Sequence, residues 1–372
     1  MAFMLDRIPT ILQAEGALAR LGDHAALLAA GRPVLVVADP GLAALGITDT
    51  ALTALREAGL SVFCFDGLAS DPTLAQIAAA AAARACAAGL VVAIGGGSAL
   101  DVGKAAAAIA PDPAPAARYR LCAAPPPPTA LAKICIPTTS GTGSEATRTV
   151  VAFDAAGAKT WLWGAQLKAD LILLDPALAV SLPPGLTGAT AIDALVHAIE
   201  ACTNRNANPG NDAFCHAAIR LVVRHLPTVM ADPADMAGRA GLQLASCLAG
   251  IAIDNAGTAL AHSIGHALGT LAHIHHGRAV AVAMRATAAW VSADDRDGRF
   301  AAVGTLLGGD LVTEFDRLVR RAGISMQLPP IEAEALAAQM AAPDNAPMRD
   351  ATRRTVADAD LLPLARMVLE AK

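Results

Sequence analysis

The chain has 372 residues and a formal net charge of −5; 55% of its residues are hydrophobic and only 3% are aromatic. This length allows two domains with substantial cores, while the near balance of acids and bases argues against a nucleic-acid partner. The scarcity of aromatic side chains argues against a surface that stacks bases. Seven cysteines without a CxxC pair indicate reduced core thiols.

The sequence also predicts a cytoplasmic protein without a membrane partner. Apolar runs are interrupted by glycine, proline or charge before they reach the length of a bilayer-spanning helix. The first ten residues, MAFMLDRIPT, contain Asp6 and lack the basic start and apolar core of a signal peptide.

Strand and helix patterns alternate through the first half of the chain. The predicted strands are short and apolar: 33–39, 61–65, 90–94, 133–136 and 171–174. The predicted helices lie around them: 10–30, 51–58, 71–88 and 99–110. This alternation predicts βαβ units and a parallel sheet, which residues 150–153 are expected to continue. Residues 111–129, with four consecutive prolines, are expected to form a loop.

From residue 187 onward the apolar residues recur with helical periodicity, and the breaks fall at proline and glycine. The sequence therefore predicts an α/β N-terminal domain with a parallel sheet, residues 1–180, and an all-α C-terminal domain, residues 181–372. The boundary is expected between 178 and 184.

A glycine-rich loop follows the third predicted strand and opens a helix. Gly95, Gly96 and Gly97 allow the backbone to approach a phosphate, to which the helix N-terminus offers free N–H groups. Ser98 and Asp101 have the spacing of a capping box. A tight turn without a ligand has the same sequence, and the loop is not the GxGxxG fingerprint of the usual dinucleotide fold.

A second loop, 138–144, combines hydroxyl side chains with glycines directly after a strand, where they suit a pyrophosphate or a ribose. Asp39 ends the first predicted strand, where a carboxylate accepts hydrogen bonds from an adenosine ribose and repels a 2′-phosphate. An aspartate that starts a turn before Pro40 has the same pattern, so both interpretations stay open.

Histidines are concentrated near residue 270, in the stretch HSIGHALGTLAHIHHG. His262 and His266 lie one helical turn apart, and Asp193 and His197 repeat this spacing upstream. Gly277 is expected to mark a helix end or tight turn that brings the imidazole of His276 toward the same point. These five side chains are more than a divalent metal with an open coordination position needs. The alternative is that such a histidine pair on an alanine-rich helix is part of the buried core and binds no metal. His273 and His275 are expected in a loop or on the surface.

Ordered segments of the chain resemble the iron-containing (group III) alcohol dehydrogenases: GGGSALDVGK (95–104), PTTSGTGSEAT (137–147), DPAL with LPP (175–184), DALVHAIEA (193–201) and HSIGHALG…HHG (262–277). The resemblance implies a dehydroquinate synthase-like fold, in which the N-terminal domain binds NAD and the C-terminal domain is helical. It places the metal site in the cleft between them.

The resemblance also assigns residues. It implies that Asp193, His197, His262 and His276 are the metal ligands and that His266 lies beside the nicotinamide. The positions that match cofactor contacts are Asp39, Gly97, Ser98, Thr138, Thr139, Thr142, Thr147, Lys159 and Leu178. Gly96 and Asp101, from the first loop and its helix, complete the predicted cofactor site.

The chain departs from the family pattern at several positions. Arg148 and Arg285 stand where prolines are usual, Ala191-Ile192 replaces Gly-Met, and Asp254 follows a position that often carries an aromatic residue. Arg148 is predicted to hold a second, anionic end of the substrate, as in a 4-hydroxybutyrate or semialdehyde. The alternative is an Arg148 that turns outward or pairs with Asp254 or Asp154.

The resulting prediction is an NAD(H)-dependent alcohol dehydrogenase or aldehyde reductase, active as a homodimer on a small primary alcohol or aldehyde. Three imidazoles and one carboxylate suit Fe²⁺ and Zn²⁺ almost equally, and the resemblance favours iron. One alternative is a zinc enzyme similar to dehydroquinate synthase or glycerol dehydrogenase. The former would need several cationic residues around its substrate, which LVHAIEA lacks. The other is a non-catalytic paralogue.

Overall fold

The computed structural model describes residues 3–68, 72–112 and 114–371. The chain forms two compact units. The α/β unit comprises Arg7–Thr139 and Gly143–Ser181, and the helical unit contains the chain from Leu182 onward. Two short segments that the sequence assigns to the N-terminal domain, residues 3–6 and Ser140–Thr142, belong to the helical unit.

Six strands of the described chain form one parallel sheet in the order β1-β8-β5-β4-β2-β3. Their bounds are β1 Thr10–Gln13, β2 Val34–Ala38, β3 Val62–Phe65, β4 Leu90–Gly95, β5 Ala132–Pro137 and β8 Leu171–Leu174. The central strands β2 and β4 are buried at every position, as expected of a parallel sheet that is covered on both faces.

The helices of this unit are α1 Leu21–Ala29, α2 Ile47–Glu57, α3 Ala79–Ala85 and α4 Gly97–Ile109. Because side chains alternate along a strand, Val34 and Val36 of β2 join the core formed with α1 and α2. Leu35 and Val37 join the opposite core, which includes residues of α3 and α4. The predicted α/β unit with a parallel sheet is confirmed.

Residues 150–153 do not continue the parallel sheet, as the sequence had suggested. They belong to β6 (Thr149–Phe153), which pairs antiparallel with β7 (Lys159–Trp163) in a separate two-stranded sheet. The turn between them is stabilised by Asp154, whose carboxylate accepts hydrogen bonds from the amides of Ala156 and Ala158, both at 2.9 Å. This local hairpin satisfies the backbone of β6 without the larger sheet.

Two predicted helices are shorter than expected. Residues 10–13 are strand β1, which pairs with the outer side of the apolar strand β8, and the helix begins only after Gly16 in its left-handed conformation. In the predicted helix 71–88, residue 71 lies outside the described residues. Pro72 and Leu74 hydrogen-bond to the backbone of Phe153, which keeps this segment extended, and α3 begins at Ala79.

The helical unit consists of α5 Pro184–Thr203, α6 Pro209–Ala231, α7 Met236–Ala256, α8 Leu260–Ala272, α9 His276–Ser292, α10 Arg299–Leu307, α11 Leu311–Arg321, α12 Ala333–Met340, α13 Ala346–Ala351 and α14 Asp358–Glu370. Helix α5 is buried from Thr187 to Thr203 and packs against α6, α7 and α9. Its many alanines and glycines allow these neighbours to approach closely. The predicted all-helical C-terminal part is confirmed.

Helix α7 is long and apolar enough to cross a membrane by length and composition. The sequence had predicted no such segment. In the folded chain, however, 67% of its apolar window is buried against the rest of the protein, which is typical of a core helix.

Close packing around α5 makes a matched pair of glycine variants informative. A Cβ at Gly188 would lie 2.1 Å from the carbonyl oxygen of Ala322, at the end of α11, whereas a Cβ at Gly185 meets nothing within 4 Å. We expect Gly188→Ala to lower the free energy of unfolding by about 2 kcal/mol, because the helices must separate. Gly185→Ala should leave it unchanged or raise it by about 0.5 kcal/mol. Urea denaturation measures both, and equal stabilities would contradict this packing.

Candidate metal centre

The first two predicted ligands lie on the buried face of α5. Asp193 and His197 are one turn apart and expose only 1% and 4% of their surface. Their immediate neighbours along the helix are alanine, leucine, isoleucine and valine, so these two polar side chains lie in apolar surroundings. A buried charge of this kind requires a partner.

The other two predicted ligands come from consecutive helices. His262 lies in the first turn of α8, and His276 is the first residue of α9. Gly277 does not mark a helix end, as the sequence had suggested, but lies within α9. A Cβ there would be 2.3 Å from the carbonyl oxygen of Ala189 and 3.3 Å from Cβ of Asp193. The glycine therefore allows α9 to lie directly against α5.

The four side chains converge. Each of Asp193, His197, His262 and His276 offers one ligand atom, and these atoms all lie within 4.8 Å of one another. Oδ1 of Asp193 is 3.6 Å from Nε2 of His262 and 3.7 Å from Nε2 of His276. The rings of His197 and His262 stack with their centroids 4.3 Å apart.

These distances fit a bound divalent cation. Oδ1 of Asp193 and Nε2 of His262 are buried, and neither has a hydrogen-bond partner in the described part of the chain. Their separation of 3.6 Å is too long for a direct hydrogen bond. Two ligand atoms that are each about 2.1 Å from one ion in a tetrahedral arrangement lie about 3.4 Å apart. A cation between the two atoms would therefore satisfy both.

Glu200 contacts the candidate ligands and was not among the residues predicted from the sequence. Its buried carboxylate lies 2.6 Å from Nδ1 of His262 and accepts hydrogen bonds from the amides of Ala259 and Ala261. The spacing of AIDALVHAIEA contains the relevant pattern, because positions 193, 197 and 200 share one face of a helix. The spacing of candidate ligands does not by itself reveal a residue that contacts one of them.

The electrostatics of the site favour ionised Asp193 and neutral His197, which are the forms that can bind a metal. Burial acts to raise the pKa of Asp193, but the nearby His197 and His276 outweigh it and hold that pKa well below its usual range. Burial lowers the pKa of His197 to about 4, so the ring is neutral near pH 7. Burial also opposes protonation of His262, yet Glu200 and Asp193 raise its pKa to about 9. A cation at His262 would displace that proton.

His266 lies one turn beyond His262 on α8 and is half-buried. Its ring meets the ring of His276 edge-on, with the centroids 5.4 Å apart. It is not part of the group of four candidate ligands. His273 and His275 are exposed in the segment that links α8 to α9.

Several predicted cofactor residues lie at one edge of the parallel sheet. Asp39, Gly95 and Thr138 stand at the carboxyl ends of the neighbouring strands β2, β4 and β5. The amide of Asp39 donates to Ile94, and the amide of Thr138 donates to Gly95, at 3.1 and 2.9 Å. This edge is where open α/β sheets bind their ligands.

The loops at this edge leave little space for side chains. A Cβ added to Gly95, whose φ is +147°, would lie 2.9 Å from Cβ of Asp39, and one added to Gly96 would lie 3.4 Å from Thr139. Gly97 and Ser98 form the first turn of α4.

The capping box predicted for Ser98 and Asp101 is absent from α4, whose N-cap is Gly96 without a side-chain cap. Asp101 accepts hydrogen bonds from Ser144 and the amide of Val151, and it pairs with Lys104 at 3.2 Å. Its carboxylate is occupied by protein donors, two of which lie more than 40 residues away in sequence. Its contact with a cofactor stays a prediction.

Lys104 is fully buried and orders the chain after the hydroxyl-rich loop. Its ammonium donates to the carbonyls of Ser144 and Thr149, both at 2.7 Å, and to Oγ1 of Thr147 at 3.1 Å. The remaining predicted cofactor residues are distributed over other elements: Lys159 begins β7, Leu178 lies in the 3₁₀ turn after β8, and Thr142 belongs to the helical unit.

The two arginines that depart from the family pattern have different surroundings. Arg285 of α9 forms an ion pair with Asp316 of α11 and is part of the helical packing. The guanidinium of Arg148 lies over the ring of Trp163, 5.0 Å from its centroid. Asp154, one proposed partner of Arg148, pairs with Arg120 at 3.2 Å.

We expect His262→Ala to lose the metal. In protein loaded with Fe²⁺ or Zn²⁺ and then desalted, metal analysis should find about one ion per chain in the parent and almost none in the variant, because three ligands hold a cation much less tightly than four. The exposed neighbour His275 provides the matched control His275→Ala, which should keep its metal, and so should His266→Ala. Equal metal content in all of these proteins would exclude the proposed ligand set.

Known family models match both halves of the chain. Residues 9–176 match the family model described as iron-containing alcohol dehydrogenase. Residues 187–355 match the model of the C-terminal domain of the Fe-containing alcohol dehydrogenase family. Long-chain-alcohol dehydrogenase 1 of Geobacillus thermodenitrificans (strain NG80-2) is 37% identical over 328 residues, 84% of this chain and 82% of the relative.

Solved structures share the fold over the whole chain. A 1,3-propanediol oxidoreductase has a TM-score of 0.90 at 28% identity, covering 98% of this chain and all of its own. Sulfoacetaldehyde reductase from Bifidobacterium kashiwanohense, in complex with NAD⁺, has a TM-score of 0.91 at 25% identity, with 100% of both chains covered. The resemblance inferred from the motifs is confirmed, and the chain belongs to the iron-containing alcohol dehydrogenase family.

Proposed function

We propose that the chain is a metal-dependent, NAD(H)-using dehydrogenase that interconverts a small primary alcohol and its aldehyde. The observation that carries the proposal is the convergence of Asp193, His197, His262 and His276. Two of the ligand atoms, Oδ1 of Asp193 and Nε2 of His262, are buried without a hydrogen-bond partner in the described chain. The names of the relatives, which include long-chain-alcohol dehydrogenase 1 and 1,3-propanediol oxidoreductase, support the reaction class.

Three imidazoles and one carboxylate would hold the cation and leave a position open to the substrate. When bound, a divalent ion supplies a Lewis acid for the substrate oxygen. The family favours Fe²⁺, and the same donor set suits Zn²⁺. Asp193, His197 and His262 are buried, so bulk water competes little with them for the cation.

His266 is proposed to hold and move the proton that alcohol oxidation releases. It is adjacent to the ligand group through His276, yet it is half-buried, so its ring can exchange a proton with solvent. Imidazole titrates near neutral pH and can therefore take up and return a proton at the same nitrogen.

NAD(H) is proposed to bind at the carboxyl edge of the parallel sheet. Gly96, Gly97 and the N-terminus of α4 suit the pyrophosphate, because the helix presents free N–H groups there. The hydroxyls of Thr138 and Thr139 follow the neighbouring strand. The nicotinamide carries the hydride chemistry when it is bound. NAD⁺ in the sulfoacetaldehyde reductase complex supports this cofactor. The cytoplasmic location and the homodimer remain predictions.

We expect the purified, metal-loaded protein to oxidise NADH when a short aldehyde is added, with a loss of absorbance at the nicotinamide band. NADPH should be a poorer donor, because its 2′-phosphate would meet the carboxylate of Asp39. The variant Asp39→Gly should reduce the difference in rate between NADH and NADPH. Chelation should stop turnover and added Fe²⁺ or Zn²⁺ should restore it. Turnover at the full rate without metal would exclude this function.

We extend the proposal to a substrate with a second, negatively charged end. Arg148 is half-buried, and a cation that is partly removed from water gains from an anionic partner. The sulfoacetaldehyde reductase, whose name denotes an aldehyde with a sulfonate group, supports such a substrate. A semialdehyde or ω-hydroxy acid of the 4-hydroxybutyrate type would meet this requirement. The structural alternative is that Arg148 serves the packing of the protein, with its guanidinium over the ring of Trp163.

Succinic semialdehyde and butyraldehyde share the reactive group and differ at the charged end, which makes them a matched pair. We expect kcat/KM to be higher for succinic semialdehyde, and Arg148→Ala to lower it about 10-fold or more for this substrate, the loss of one charge-assisted contact. The value for butyraldehyde should change little and serves as the internal control. No preference for the charged aldehyde would leave Arg148 a structural residue.

A further inference from the structure

We propose that Glu200 is the positioning residue of the metal centre: it selects the tautomer of His262 and ties this ring to the start of α8. The inference rests on the metal site proposed above and concerns a side chain that is not itself a ligand. Glu200 lies on α5, two turns beyond Asp193 and one turn beyond His197. One helix would thus carry two ligands and also determine the position of a third.

Both oxygens of Glu200 accept hydrogen bonds from the start of α8 in the same chain. Oε1 accepts from the amide of Ala261 at 2.6 Å, and Oε2 accepts from the amide of Ala259 at 2.7 Å. Oε2 also lies 2.6 Å from Nδ1 of His262. Glu200 exposes only 4% of its surface, so these contacts are made away from water.

This arrangement specifies the tautomer of His262. An ionised carboxylate only accepts hydrogen bonds, so Nδ1 of His262 must carry a hydrogen and donate it to Oε2 of Glu200. A neutral ring protonated at Nδ1 presents a lone pair at Nε2. Nε2 is the atom that faces Oδ1 of Asp193 at 3.6 Å. The outer carboxylate therefore turns the metal-binding nitrogen toward the site.

The same carboxylate holds the backbone on which His262 stands. Ala259, at the N-cap position of α8, provides no side-chain cap, and Glu200 from α5 accepts the amide hydrogens there instead. A negative charge at a helix N-terminus is also favoured by the helix dipole. The ring of His262 and the backbone immediately before it are thus anchored at one point.

Space beside Glu200 decides which substitution is informative. A small cavity borders this residue and is lined partly by Leu260, Met284, Val291 and Phe300. Glu200→Ala would enlarge the cavity and admit water, which would confuse lost packing with lost hydrogen bonding. Glu200→Gln keeps the size of the side chain and replaces one acceptor oxygen by an NH₂ donor.

In Glu200→Gln the new NH₂ group faces a backbone amide or Nδ1 of His262. Where NH₂ replaces Oε2, we expect the ring to lose its acceptor at Nδ1 and to adopt the tautomer with the hydrogen on Nε2, which then points a donor at the cation site. Where it replaces Oε1, the amide of Ala261 loses its acceptor, and the start of α8 that carries His262 is no longer held. The affinity of the metal-free protein for Zn²⁺ or Co²⁺, measured by competition with a chromophoric chelator, should fall about 10- to 100-fold. The visible spectrum of the Co²⁺ protein should change shape, because its coordination changes.

Thr203→Val is the matched control. Thr203 lies on α5 one turn beyond Glu200, is equally buried, borders the same cavity and donates only to the carbonyl of Ile199 at 2.7 Å. This variant should lose some thermal stability and keep the parent metal affinity and Co²⁺ spectrum. Parent affinity in Glu200→Gln, or an equal loss of affinity in both variants, would overturn the proposal.

A measurement on the parent protein covers the case in which Glu200→Gln does not fold. In protein with ¹⁵N-labelled histidine and bound Zn²⁺, NMR should find Nδ1 of His262 carrying a hydrogen and Nε2 carrying the metal. A hydrogen-free Nδ1 would overturn the inference. Parent protein that binds no metal in the competition assay would instead contradict the proposed function itself, so the two failures are distinguishable.

Discussion

Helix α5 buries the carboxylates of Asp193 and Glu200 away from water, and the helical unit must compensate both charges. A buried carboxylate is strongly destabilising unless hydrogen bonds or opposite charge compensate it. Glu200 receives its compensation from two backbone amides and His262. For Oδ1 of Asp193, the described chain offers only imidazoles beyond hydrogen-bond distance. A cation bound among these ligand atoms would compensate the buried carboxylate of Asp193.

The α/β unit contains a second buried charge with a different solution. Lys104 pairs with Asp101, and its remaining donors are taken by backbone carbonyls of the segment after the hydroxyl-rich loop. This network is self-sufficient, because opposite charges and carbonyl oxygens all come from the protein. The contrast supports different roles: one buried network orders a loop, and the other is organised to accept a ligand.

Local patterns predicted the parts of the molecule that depend on local geometry. The helical spacing of Asp193 and His197, and the glycines after β4, follow from the periodicities of helices and strands. The parts that failed depend on partners distant in sequence. Strand β1 forms because it pairs with β8, which lies far along the chain. Strand β6 is the exception, because it leaves the main sheet for a local hairpin with β7. Asp101 does not cap α4 because its carboxylate accepts hydrogen bonds from Ser144 and Val151. The role of Glu200 could not be predicted without its contact with His262, which is distant in sequence.

The short segment Ser140–Thr142 has a consequence for how this protein can be divided. It is encoded within the α/β half but belongs to the helical unit, where a Cβ on Gly141 would lie 2.5 Å from Cβ of Thr190 on α5. A gene fragment that begins at Leu182 would lack this piece and leave part of α5 uncovered. During synthesis the segment leaves the ribosome before α5 exists, so it must wait for its packing partner. The two units are separate in architecture and interleaved along the chain.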